Sequence, residues 1–240
     1  MSSKTASTRK TRPGVFPAPA GEAGLVMPKL QRNTLNEEVY QQLKQALITG
    51  RIAPGSTMTI RSLAASFGIS PMPVREALRR LVAEHVLVLL PNRSVSLPII
   101  TRERFREITR IRTSLEGLAA EEATPLVNAE DIRAMAATND EMELPGTTMH
   151  ADYLVKNREF HFRLYRSARL PTLVKIIESL WLQIGPLLTI QQGAFESEGT
   201  MVQTQHRRLL KALKTRNAPE ARAAIVSDIE DAAKIIAANL

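Results

Sequence analysis

The sequence predicts a mainly α-helical chain in two parts: an N-terminal helical module closed by a short β-hairpin, and a C-terminal all-helical antiparallel bundle of about six helices. Three observations carry that expectation. Apolar residues recur at helical spacing from 35 to 85 and again from 105 to 236, interrupted by two short apolar runs around a polar corner at 91–94. Glycine and proline punctuate the second half at intervals that suit consecutive bundle helices. The length of 240 residues exceeds one typical domain of roughly 100–150, and 44% hydrophobic with 23% charged residues is an ordinary globular composition. Wholesale disorder and fibrous repeats are thereby excluded.

Charge is distributed unevenly. Residues 1–33 hold six basic residues against one acidic, 34–100 seven against four, and 101–240 nineteen of each. All the excess positive charge lies in the first hundred residues, which suits a module that meets a polyanion, nucleic acid above all, joined to a neutral module with a different task. Residues 1–33 are rich in Ser, Thr, Lys, Arg, Pro and Gly and too poor in large apolar groups to bury a core, so they read as a flexible basic arm. The absence of cysteine excludes disulfides, thiolate metal sites and cysteine nucleophiles. The longest charge-free stretch, Ser179 to Phe195, falls short of the roughly 20 apolar residues of a membrane span and contains Gln183, Gly185 and Pro186; it reads as a buried, kinked helix. No apolar signal segment follows the basic N-terminus, and the cytoplasm is the expected compartment.

In chain order, the first helix starts at Thr34-Leu35-Asn36-Glu37, a capping-box pattern in which Thr and Glu side chains satisfy free amides. It continues through Val39, Leu43 and Leu47 and stops at Gly50. After a Pro54-Gly55 turn, Leu63, Ala64 and Phe67 form a short helix ended by Gly68, and Ser70-Pro71 supplies an N-cap and first-turn proline for the next. There Val74, Ala77, Leu78, Leu81, Val82 and His85 make the inner stripe, leaving Met72, Arg75, Glu76, Arg79 and Arg80 outside it. Leu87–Leu90 and Val95–Leu97 read as strands joined by Pro91-Asn92-Arg93-Ser94. A short helix, a glycine-containing turn and a second helix with outward arginines is the helix-turn-helix arrangement, and the hairpin makes it a winged one. Its second helix suits the major groove of DNA, and Arg93 the minor groove, whose negative potential attracts arginine.

The run Gly50-Arg51-Ile52-Ala53-Pro54-Gly55, followed by Leu63 to Leu81 with its Pro73-Val74-Arg75-Glu76-Ala77-Leu78 core, closely resembles the N-terminal domain of GntR-type transcriptional regulators. The resemblance implies a DNA-binding domain over 34–98. It carries over Arg61, Ser70 and Arg75 as contacts and Asn92 and Arg93 at the wing tip, while Met72 and Arg79 share the outward face of the same helix. Two positions depart from the pattern: Pro71, where many members have Arg, and Ser94, where the wing glycine is usual. Both imply an altered base preference.

Beyond Pro98 the helical stripes run through Phe105, Ile108, Leu115 and Leu118; Ile132 to Met142; Leu154, Leu164 and Ala168; Leu173, Ile176, Ile177 and Leu180; Val202, Leu209 and Leu213; and Ile225, Ile229 and Ile236. Breaks fall at Pro125, Pro145-Gly146, Pro171, between Gly193 and Gly199, and at Asn217 to Pro219. Polar groups interrupt these stripes: Arg112 on the first, Asn157 and His161 one turn apart on the third, then His206 and Asp228 on the last two. A carboxylate on a core stripe costs several kcal/mol unless it is paired or bound, so the last four residues suggest a shared pocket. Three readings stand open: a divalent metal, for which N/O donors suit Zn, Ni or Mn; a metal-free ligand pocket; or groups satisfied separately by their neighbours.

Arg112-Thr113-Ser114-Leu115-Glu116, the segment Asn157 to Tyr165, and Gln205-His206-Arg207 resemble the FadR-like effector domain, the FCD type, of the same regulators. That resemblance implies an effector-binding and dimerisation domain over 101–240. It further implies, for metal-binding members, an Asp and a His four apart plus two more His, holding a metal beside a small carboxylate effector. Here Asn157 stands at the Asp and Asp228 at the last His, leaving His161 and His206 as matches. An amide oxygen is a weaker, neutral donor, whereas Asp228 restores one negative charge. Arg112 either clamps a ligand carboxylate or pairs with Glu116 four residues on. The expected protein is a homodimeric, non-enzymatic regulator of a double-stranded DNA operator, more often a repressor in this family, controlled by a small organic acid and not associated with membranes. Rival readings are an architectural DNA binder with an inert bundle and a metal-dependent hydrolase.

Overall fold

Caps and turns divide the chain into nine helices and three short strands among the described residues, which in the computed structural model are 34–143, 151–190, 200–238 and 240. The basic arm and the breaks at Pro145-Gly146 and 193–199 lie outside them. Helix α1 (Thr34–Ile48) ends just before Gly50, which takes φ +67°. The Glu37 carboxylate accepts from Gln41 at 2.6 Å and from Arg80 at 2.9 Å. A reciprocal capping box forms one element later: Thr59 Oγ1 accepts from the Ser62 amide and Ser62 Oγ from the Thr59 amide, opening α2 (Ile60–Phe67). Gly68 at φ +66° turns the chain into α3 (Pro71–Ala83).

The helical stripe of α3 is shorter than its sequence suggests. Val74, Ala77, Leu78 and Leu81 are buried, but the helix ends at Ala83, and His85 is exposed at φ +58°. Arg80 is also diverted from the outer face. Its guanidinium lies 3.6 Å from the Tyr40 ring centroid and bonds Glu37 and Glu84, which ties α3 to α1. Strands β2 (Val88–Leu89) and β3 (Val95–Ser96) form the expected hairpin, and β1 (Thr57–Met58), which the sequence reading leaves unassigned, completes an antiparallel sheet in the order β1-β3-β2.

The second half contains α4 (Arg102–Ala123), α5 (Ala129–Met142), α6 (Ala151–Ser167), α7 (Pro171–Ile190), α8 (Thr200–Lys214) and α9 (Ala218–Ala238), the six bundle helices expected. Thr101 and Asn128 cap α4 and α5 through bonds to the amides of Arg104 and Asp131. Helices α4 and α9 pack closely at Gly117, where a Cβ would lie 3.2 Å from Val226 Cγ2. Phe105, Ile108, Met135, Phe160, Leu164, Ile177, Leu209 and Ile225 are among the buried core. Leu118 and Ile176, placed on inner stripes by spacing, are 37% and 47% exposed; Leu118 lies on the exposed side of α4 with Glu107, Ile111 and Ser114.

Helix α7 serves both halves. Its Leu182 is 1% exposed within the core formed by Tyr40, Leu43, Leu47, Leu78 and Leu81 of the N-terminal module. Gly185 of α7 faces the end of α1, where a Cβ would be in ordinary contact, 3.6 Å from Ile48 Cα. Lys44 Nζ of α1 meets Glu178 of α7 at 2.6 Å, and Ser179 Oγ donates to the Glu84 carbonyl at 2.6 Å.

Candidate functional site

The outer side of α3 begins at Ser70, an exposed residue in the N-cap position with extended backbone. Its hydroxyl makes no cap hydrogen bond. An N-cap side chain bonds the second or third helical amide; Pro73 removes the third, and Ser70 makes no bond to the second, that of Met72. Met72, Arg75 and Arg79 follow at spacings of three and four, all exposed, so they share one face. Arg79 is paired with Glu76 at 3.0 Å, both largely in solvent, where such a pair is worth little and is readily exchanged. Arg61 is exposed in the first turn of α2.

The wing brings a further arginine beside this face. Arg75, Arg79 and Arg93 line one depression of about 560 Å³ floored by Leu78, Val82 and Val95. Asn92 and Arg93 are exposed at the tip. Asn92 Oδ1 accepts from the Ser94 amide at 3.1 Å and from its hydroxyl at 2.5 Å, closing the turn. The residue at positive φ is Arg93, at +64°, while Ser94 is buried. The strain that a glycine would relieve therefore falls on the basic residue itself.

The second cluster lies within the bundle. His161 Nε2 and His206 Nε2 are 3.3 Å apart, and Asp228 places Oδ2 3.3 Å from the first and Oδ1 3.6 Å from the second. Both rings are 1% exposed. The hydrogen-bond network assigns their tautomers. Asn139 Nδ2 donates to Glu143, so Asn139 Oδ1 accepts from His206 Nδ1–H at 3.0 Å. The Tyr165 hydroxyl donates its one proton to Glu116 at 2.6 Å, so its oxygen accepts from His161 Nδ1–H at 3.2 Å. Burial, reinforced by the Glu116 carboxylate, raises the Tyr165 pKa well above the ordinary phenol value and keeps that proton in place.

With their Nδ1–H groups committed to Asn139 and Tyr165, both Nε2 atoms face each other and the Asp228 carboxylate. Asn157, one turn before His161 on α6, has an Oδ1 that is buried without a hydrogen-bond partner, and Asp228 Oδ1 is likewise without one. Burial, aided by His161, pushes the His206 pKa down to about 4 against the pull of Asp228, leaving the neutral, ligating form at neutral pH. Burial alone would raise the Asp228 carboxyl, but His206 and His161 outweigh it and hold the pKa below the ordinary value. Donors about 2.1 Å from a shared ion stand roughly 3.0–3.5 Å apart, close to the separations seen here. The donor set fits a divalent cation, with Asn139 and Tyr165 orienting the rings behind it.

Of the sequence candidates, His161, His206 and Asp228 converge, with ligating atoms all within 4.8 Å of one another. Arg112 forms the intrahelical pair: its Nε donates to Glu116 at 2.6 Å, and its guanidinium lies 4.9 Å from the Trp181 ring centroid. Glu116, fully buried, also accepts from Trp181 Nε1 at 2.9 Å. The orienting residues Asn139, Tyr165, Glu116 and Trp181 escaped the sequence reading as a set. Asn139 did leave a signal, a buried amide on the stripe of Ile132, Met135 and Met142.

Residues 35–97 match the model for bacterial regulatory proteins of the gntR family, and residues 107–231 match the FCD domain. The HTH-type transcriptional regulator McbR of Escherichia coli (strain K12) is 30% identical over 159 residues, covering 66% of this chain and 72% of McbR. The HTH-type regulator YdhC of Bacillus subtilis (strain 168) is 26% identical over 182 residues, covering 75% and 81%. The solved structure of E. coli McbR/YncC superposes with a TM-score of 0.79 at 27% identity, covering 85% of this chain and 98% of that one. No helix among the described residues is long and apolar enough to cross a membrane. With a winged helix-turn-helix that exposes its arginines and a helical domain that buries a histidine pair, the chain belongs to the GntR family of DNA-binding transcriptional regulators, in the branch that carries a ligand-responsive FCD domain.

Proposed function

We propose that the chain works in the cytoplasm as a homodimeric repressor whose hold on a near-palindromic operator is set by a small organic acid, bound at a divalent-metal centre in the helical domain. On this reading 1–33 is a basic arm, 34–98 reads DNA, and 101–240 binds effector and partner subunit. One observation supports it above the others: Ser70, Met72, Arg75 and Arg79 share the exposed side of α3, with Arg93 of the wing beside them. Helix α3 enters the major groove, where each arginine paired with guanine contributes about 1–3 kcal/mol of base discrimination. Arg61 and Asn92 approach the flanking backbone, and Arg93 the minor groove. A two-fold axis places two such surfaces on successive half-sites.

In the helical domain His161, His206, Asp228 and Asn157 would hold Zn, Ni or Mn, and the bound ion supplies a fixed positive charge that attracts a carboxylate. The chain's own groups do the rest. Asn139 and Tyr165 lock the imidazoles, and Glu116 links Tyr165 to Trp181 on α7. The same helix contacts the N-terminal module through Glu178, Ser179 and Leu182. Arg158, the neighbour of Asn157, also donates to Glu178. A ligand that repositions α6 or α7 therefore acts directly on α1. Driving an operator-bound population from 99:1 to 1:99 takes about 5.5 kcal/mol of differential affinity over the two pockets. In footprinting of an operator-bearing promoter, Arg75→Ala should abolish protection while its circular dichroism stays that of the parent. An unchanged footprint would overturn the role given to α3.

A further inference from the structure

A helix N-terminus ordinarily presents four free amides, which is why helix ends so often rest on phosphates. On α3, Pro71 and Pro73 remove two of them. Pro73 is buried, whereas Pro71 is exposed and Met72 beside it is 57% exposed. The exposed arginines of the same face come later, at 75 and 79. The leading tip of the helix is therefore apolar and short of donors, with cationic groups one and two turns behind it.

In the major groove one base-edge group matches such a tip, the C5-methyl of thymine; every other distinguishing feature there is a hydrogen-bond donor or acceptor. A thioether is only a weak acceptor. It is unbranched, polarisable and free to choose rotamers, which suits packing on a methyl group. A phosphate gains less from this tip than from an ordinary helix end, since half of the amides that would hold it are missing. We infer that Met72, backed by Pro71, is a specificity-determining residue that reads a thymine methyl at one base pair of each half-site. The inference rests on α3 being the reading helix.

Selection of the full chain against a pool of random duplexes supplies the probe. Each thymine of the recovered duplex is then replaced singly by uracil, which deletes the methyl and leaves every hydrogen-bonding group. At one thymine per half-site, uracil should weaken binding of the parent protein about four-fold, equivalent to about 0.8 kcal/mol for one buried methyl group. The same replacement should leave Met72→Ala unaffected, and Met72→Leu should keep most of the sensitivity. If the duplex is bound selectively and Arg75→Ala destroys that selectivity, yet no uracil effect disappears in Met72→Ala, the inference is overturned while the assignment of α3 stands. A pool from which no sequence is enriched would overturn both.

Discussion

Glu178 is the anion shared between α7, α1 and α6. Its Oε1 lies 2.6 Å from Lys44 Nζ, and Arg158 donates to the same oxygen. The Lys44 side chain is 5% exposed, and burial lowers its pKa by more than Glu178 restores. In Glu178→Gln the two cations lose the carboxylate they share, leaving Lys44 only the weaker attraction of Glu84, and an unpaired buried charge costs about 3–5 kcal/mol. Lys44 has one escape, loss of its proton. At 1.36 kcal/mol per pH unit below an ordinary lysine pKa of about 10.4, that route costs about 4.6 kcal/mol at pH 7 and about 1.9 at pH 9. The variant should therefore lose about 3–4.6 kcal/mol at pH 7 and at least about 1 kcal/mol less at pH 9, with a pH-independent remainder from Arg158. The direction follows from linkage: a lysine pKa lowered by folding means that the unfolded chain binds more protons between the two values, so stability rises with pH across that window. Urea unfolding of the full chain at both pH values measures this. Adding Lys44→Met to Glu178→Gln should recover most of the loss, because methionine needs no counter-ion. A loss below about 1 kcal/mol at pH 7, equal at pH 9 and unrelieved in the double variant, would refute the reasoning.

At the wing, Arg93→Gly should raise stability by about 1 kcal/mol by relieving the left-handed backbone while weakening operator binding; a variant that is no more stable by thermal melting, or binds as tightly, contradicts the strain described for φ +64°. In the helical domain, Asn139→Leu removes the acceptor for His206 Nδ1–H and should lower Zn(II) affinity about 10- to 100-fold by calorimetric titration. His161→Ala should eliminate that binding. Equal affinity in the Asn139 variant would mean that the ring orientation is set elsewhere.

Much of the exposed face of α3 is legible in local chemistry. Gly68, Ser70 and Pro71 mark the turn and the start of α3, and the period of Val74, Ala77, Leu78 and Leu81 separates its two faces. Position 85 fails because the stripe continues in the sequence after the backbone has turned out of the helix at Ala83. Strand β1 is two residues long and exists only through pairing with Val95 and Ser96, some 38 residues away, which no local pattern reports. The histidine pair is visible as polar residues on apolar stripes, but that His161 and His206 turn their Nε2 atoms toward each other depends on Asn139 and Tyr165, groups set by packing among α4, α5, α6 and α8. Lys44 shows the same limit. A lysine on α1 reads as solvent-facing until Glu178 arrives from another helix.

The most direct test of a base-reading α3 is a competition measurement at fixed salt between the selected duplex and a scrambled duplex of equal length, made with the parent chain and with Arg75→Ala. Phosphate contacts are common to both duplexes, so they cancel in the ratio. The parent should prefer the selected duplex by roughly 10³-fold or more, and Arg75→Ala should bring the ratio close to one without loss of residual, salt-sensitive binding. A parent protein that holds both duplexes equally, or a variant that keeps the full preference, would contradict the account.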